Sequence, residues 1–112
     1  MDIVQPDISW LGGITEARRV VALAASFNVM VIPHGSSVYS YHLQYAFRNC
    51  PMAEFVTLSA KSDKILPYFG GLFPDEPLPK NGWIDLPDRA GFGVTLCRKG
   101  LVRSQERPIE HS

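Results

Sequence analysis

The spacing of apolar positions changes along this chain, and each change marks an element. Ile3-Val4, between Asp2 and Gln5, predicts a short strand over Asp2–Gln5. Pro6 to Gly13 follows as a loop, where Gly12-Gly13 permits a tight entry into a helix. From Ile14 on, Ala17, Val20, Val21, Ala24 and Phe27 recur at three- and four-residue intervals. Glu16, Arg18 and Arg19 take the other side, so the pattern predicts an amphipathic helix laid on a sheet. Asn28 can close it. Val29-Met30-Val31-Ile32 then runs without polar alternation, the pattern of a strand buried on both faces.

Strand, helix, strand in this order requires a parallel pair with a right-handed crossover, and such pairs belong to doubly wound or barrel folds. Beyond Pro33 the segment Ser37 to Asn49 carries Val38, Tyr41, Tyr45 and Phe47 in a loosely helical arrangement, with Ser36 or Ser37 available as cap. Pro51 ends it, and Met52 to Leu58 predicts a third strand of the sheet. After Lys61 the character changes. Pro67, Pro74, Pro77, Pro79 and Pro87, with Gly70-Gly71, exclude a long regular element, so Ser59 to Pro79 is expected to be an extended surface connection. Asn81-Gly82 is a hairpin signal between Pro77-Leu78 and Trp83–Leu86, and Gly91 to Leu96 predicts one further strand. The residues from Cys97 on are polar and expected to fray. The organisation is thus residues 1–60, a proline-rich return over 61–96, and a tail over 97–112.

Composition narrows the classes of function. The 112 residues are 46% hydrophobic, enough for a packed core, and eleven basic residues balance eleven acidic ones. That balance offers no electrostatic footprint for nucleic acid or an anionic membrane. Cys50 and Cys97 have no metal-ligand spacing and read as reduced thiols. No apolar run reaches the length of a membrane span, and Met1-Asp2 lacks the pattern of a signal peptide, so the expected compartment is the cytoplasm.

Three polar residues sit where strands run out into loops: Asp7, His34 and Glu54. Singly, each has an ordinary explanation as a turn, cap or rim residue. In a parallel sheet, however, strand ends point the same way. Asp7 and His34 then share the carboxyl-terminal rim, where a carboxylate could hold an imidazole in one tautomer and leave its other nitrogen free to carry a proton.

The runs around these residues resemble enolase-superfamily enzymes of the mandelate racemase subgroup, and among them the L-rhamnonate dehydratases. Gln5-Pro6-Asp7 followed by Trp10 to Glu16 is similar to the end of the sixth barrel strand and the start of its helix. His34-Gly35-Ser36-Ser37-Val38-Tyr39-Ser40-Tyr41-His42 is similar to the segment after the seventh. The spacings, 27 positions from Asp7 to His34 and 20 from His34 to Glu54, also resemble the subgroup's. The resemblance runs from about Ile3 to Leu96. It implies an α/β fold that is a partial (β/α) TIM-type barrel, about its last three strands, with an irregular tail that would pack on a missing capping domain.

By that resemblance His34 would be the proton carrier, Asp7 its orienting partner and Glu54 a hydrogen-bonding group on the substrate or enolate. Ser36 and Tyr39 could touch the sugar, although capping and packing are the commoner roles of such residues; His42 reads as structural. The implied reaction is Mg²⁺-assisted α-proton abstraction from a sugar acid and β-elimination of water, giving a 2-keto-3-deoxy acid. The subgroup takes its metal from the third, fourth and fifth strands. A chain that starts at the sixth would hold no metal ligands, and it is expected to be inactive alone. Truncation or one part of a split enzyme would account for this start. The alternative is a non-catalytic module that associates with itself or with a complementing amino-terminal chain.

Overall fold

The structure, a computed structural model, describes residues 1–99. Its organising unit is strand, helix, strand. The first strand, β1 (Ile3–Val4), pairs in parallel with β2 (Met30–Val31), with Ile3 opposite Met30 and Val4 opposite Val31. Two helices connect them: α1 (Ile8–Leu11), within the stretch expected to be a loop, and α2 (Ile14–Ser26). Asp7 is responsible for α1, because its carboxylate accepts the Ser9 N–H at 2.8 Å and so caps the first turn.

Helix α2 follows its periodicity and ends as Asn28 predicts. Asn28 adopts the left-handed region at φ 54°, its N–H donates to the Ala25 carbonyl at 3.1 Å, and the Val29 N–H donates to that of Ala24 at 2.9 Å. Those paired bonds are a Schellman stop, and Val29 packs on the core beside them. The buried stripe is narrower than expected, comprising Ala17, Val21 and Ala24, whereas Phe27 faces outward at 73% exposure; Leu23, outside the expected stripe, is 63% exposed. Val31, Ile8, Leu43 and Cys50 complete the core, with Val4, Leu11, Ile14 and Phe47 against it. Burying a valine such as Val21 stabilises the fold by roughly 2 kcal/mol.

Strand β2 is covered on one face only. Val31 is fully buried but Met30 is 40% exposed, which corrects the expectation of a strand buried on both faces. The reason is that α2 packs against one side of the pair.

Elsewhere the expected strands do not form among the described residues. Residues 52–58 are irregular, and in place of a third strand the Val31 N–H donates to the Asn49 carbonyl at 2.7 Å. The helical stretch after Pro33 contracts to α3 (Tyr41–Ala46), preceded by a serine-rich turn in which the Ser40 hydroxyl accepts the Ser37 N–H. The proline-rich return contains one 3₁₀ turn (Gly70–Leu72). Asn81 and Gly82, at φ 53° and 80°, make the expected tight turn, closed by a single bridge between Lys80 and Trp83.

Residues 91–96 form no strand; they are tied down by side chains. Asp75 accepts both the N–H and the hydroxyl of Thr95, at 2.8 and 2.9 Å. The Cys97 N–H donates to the Leu72 carbonyl at 2.8 Å, so the stretch expected to fray is anchored at its first residue. The rest of that tail, residues 100–112, lies outside the described residues. No helix among the described residues is long and apolar enough to cross a membrane.

Candidate functional site

The parallel ladder positions the site. Its rungs run from the Met30 N–H to the Asp2 carbonyl (3.2 Å), from Ile32 to Val4 (3.0 Å) and from His34 to Pro6 (3.1 Å). The last rung lies beyond the strands themselves and brings the backbones of Asp7 and His34 side by side at the carboxyl-terminal end of the pair.

The side chains divide differently from the backbones. His34 Nδ1 lies 3.0 Å from Glu54 Oε2, and the same oxygen accepts the Gly35 N–H at 2.7 Å. The ring is well exposed, with its side chain 60% accessible, while Glu54 is more enclosed. The Asp7 carboxylate is engaged with the Ser9 N–H of its own helix, and no hydrogen bond or ion pair joins it to His34 among the described residues. The carboxylate at the imidazole is therefore Glu54.

Ser36 explains how Glu54 reaches this position without a strand to hold it. Its hydroxyl donates to the Pro33 carbonyl at 2.8 Å and accepts the Glu54 N–H at 3.1 Å, so one buried atom joins the two loops. Ser36 is completely buried, which gives it a bracing place behind the rim. Tyr39 is half-buried. Its hydroxyl is 3.3 Å from the Ser9 hydroxyl, and its ring packs on Phe69 and Phe92 with centroids 5.6 and 6.3 Å away. Ser9, Tyr39 and Phe92, with Ile8, Gly12, Gly13 and Ile14, border an open hollow beside α1. His42 packs its ring on Phe92 at 5.8 Å.

One carboxylate escaped the sequence reading. Glu76 is buried, and its two oxygens accept the N–H groups of Tyr68 and Phe69, each at 3.1 Å. Its position inside Pro74-Asp75-Glu76-Pro77 resembles a solvated connection, and nothing in that local pattern signals burial. Close by, Tyr41 keeps its hydroxyl buried without a partner, and its pKa is pushed up to about 12 by burial first and by the Glu76 charge second. Burial also raises the Cys50 thiol.

Residues 1–100 match the family described as enolase C-terminal domain-like. The chain belongs to that family. Within the enolase C-terminal domain-like proteins, the L-rhamnonate dehydratase of Saccharopolyspora erythraea is 44% identical over 110 residues, covering 98% of this chain and 27% of that protein. The crystal structure of L-rhamnonate dehydratase from Gibberella zeae superposes with a TM-score of 0.82 at 45% identity, covering 88% of this chain and 26% of that one. The rhamnonate dehydratase from the same organism complexed with Mg gives a TM-score of 0.79 at 45% identity, over 88% and 25% of the two chains. This chain thus spans about a quarter of the length of the relatives it matches.

A magnesium ion asks for several oxygen ligands in near-octahedral array. Among the described residues no group of three His, Cys, Asp or Glu side chains comes together to hold a metal, and the rim offers an imidazole paired to one carboxylate. These residues do not fit a magnesium site, so the chemistry open to them is proton transfer and hydrogen bonding.

Proposed function

We propose that this chain is the part of a sugar-acid dehydratase, of the L-rhamnonate type, that carries the acid–base group. In this reading it forms about the last three strands of a TIM-type barrel, and His34 is the proton carrier at the rim. His34 takes the proton α to the substrate carboxylate and returns one to the departing 3-hydroxyl, with Asp7 and Glu54 as the flanking carboxylates. The supporting observation is an exposed imidazole at the end of a parallel pair with a carboxylate against Nδ1. The 44% identity to an L-rhamnonate dehydratase supports a sugar acid of that type as the substrate. The expected place of action is the cytoplasm.

The test mixes this chain with the complementary amino-terminal part of the Saccharopolyspora relative, L-rhamnonate and Mg²⁺, and follows 2-keto-3-deoxy product. The mixture turns over; the chain alone does not. His34→Asn lowers the rate by about 100-fold or more at equal assembly. Product from the chain alone, or an unchanged rate with His34→Asn, would overturn the reading.

A second reading, a non-catalytic module that self-associates, draws on the apolar side chains turned outward, among them Trp10 at 89% and Phe27 at 73% exposure. Sedimentation separates the two. A homo-oligomer that excludes the complementary part favours the module.

A further inference from the structure

We propose that Tyr68 is a substrate-binding residue of the rim, its hydroxyl meeting a hydroxyl on the carbon chain of the sugar acid. This rests on the sugar-acid reading of the rim given above and adds to it a residue from the proline-rich return.

The return comes to the rim at Tyr68. A methyl group on Gly35 would lie 3.8 Å from the Tyr68 hydroxyl oxygen, so the tip of the phenol sits beside the residue that follows His34. The Gly35 N–H is held in turn by Glu54 Oε2 at 2.7 Å, and that oxygen lies 3.0 Å from His34 Nδ1. Phenol, carboxylate and imidazole therefore arrive at one place from three segments of the chain. Among the described residues the Tyr68 hydroxyl makes no hydrogen bond, and the residue is half-buried, so its capacity to donate and to accept is open to a ligand.

The phenol is held from behind. The buried Glu76 carboxylate accepts the Tyr68 and Phe69 N–H groups, each at 3.1 Å, and the Gly70 N–H donates to the Pro67 carbonyl at 3.2 Å. The Phe69 ring packs edge to face with Tyr68 at 5.0 Å and also on Tyr39 and Phe73, at 5.6 and 5.2 Å. Backbone and ring are thus both fixed, which lowers the cost of ordering the hydroxyl when a ligand arrives.

An uncharged donor and acceptor suits a ligand hydroxyl, whereas a ligand carboxylate is matched better by a cation or a metal. The polyol chain beyond C2 is where a sugar acid offers hydroxyls beside the carbon from which His34 takes its proton. A group that hydrogen-bonds such a hydroxyl also discriminates against acids that lack it.

The test compares L-rhamnonate with L-lactate, since both are 2-hydroxy acids and the first alone carries the polyol chain. Each is titrated calorimetrically, with Mg²⁺, into the mixture of this chain and the complementary amino-terminal part, with His34→Asn in place so that L-rhamnonate is not consumed. Tyr68→Phe keeps the ring and its packing. It should weaken L-rhamnonate about fivefold, as loss of one uncharged hydrogen bond does, and leave L-lactate within about twofold and the Tm of the assembly unchanged.

An unchanged affinity for L-rhamnonate overturns the proposal, as does a fall shared with L-lactate or with the Tm, which marks a structural role. Turnover with His34 intact is measured alongside. Binding that depends on Tyr68 without turnover sinks the dehydratase reading and leaves the residue assignment standing, whereas a mixture that binds no L-rhamnonate removes both.

Discussion

Residues 1–50 and residues 51–97 share one chain and are held by different means. The first part is organised by burial: α2 lays Ala17, Val21 and Ala24 on Val31, and Leu43 and Cys50 close the same core. The second contains almost no regular structure and is organised by carboxylates that substitute for a ladder. Glu54 takes the Gly35 N–H, Glu76 takes those of Tyr68 and Phe69, and Asp75 takes that of Thr95. Burial is distributed over many contacts and is cooperative. A carboxylate staple is local, so its loss should release a short segment and leave the remainder intact.

The sharpest way to break this contrast is to strike the core. Val21→Asp places an unpaired charge where the native side chain is fully buried, at a cost on the order of 4 kcal/mol. The cooperative thermal transition by circular dichroism should vanish; a surviving transition would mean that the staples hold the fold.

Next in size, Glu76→Ala strands two amide groups and costs about 2 kcal/mol. Amide exchange at Tyr68 and Phe69 should accelerate at least tenfold while Val21 and Ala24 keep their protection. Equal loss in both places would erase the distinction between the two regions.

Asn28→Ala, at a residue with φ 54°, should cost about 1 kcal/mol by denaturant titration, and Asn28→Gly much less. Identical costs would mean that the helix stop owes nothing to its left-handed residue.

The smallest effect comes from acid. The Thr95 N–H, aided by the Thr95 hydroxyl and the Arg89 guanidinium, holds the Asp75 carboxyl at about 2, below its ordinary 3.8. A depressed carboxyl pKa stabilises the folded state above the unfolded value and loses that contribution as pH falls through the folded one. Thr95 exchange, corrected for its intrinsic pH dependence, should therefore lose protection between pH 4 and 2, and Asp75→Asn should show this loss already at neutral pH.

The core unit was legible because its information is local. A three-to-four spacing from Ile14, an asparagine after Phe27 and a β-branched run are each readable without knowing what lies across the fold. Helix α1 was missed because four residues carry no period, and Asp7, taken as a rim residue, was also its cap. The strand expected over 52–58 depended on an edge to pair with, and side chains meet that edge instead. Phe27 shows the limit of a hydrophobic stripe, since the period says which residues share a face and not whether anything covers it. At the site, the residue types and the rim were readable. The identity of the carboxylate beside the imidazole was not, because it depends on a hydroxyl bridge between loops eighteen positions apart.

The ladder advances by two residues per rung from Met30 through Ile32 to His34. Main-chain amides thereby give the histidine its coordinate, and an odd-numbered slip of either strand would carry the ring through the sheet to the opposite side. Length changes should be far easier to absorb in the crossover than in the seven residues from Asp2 to Ile8 or in the run from Val29 to Gly35.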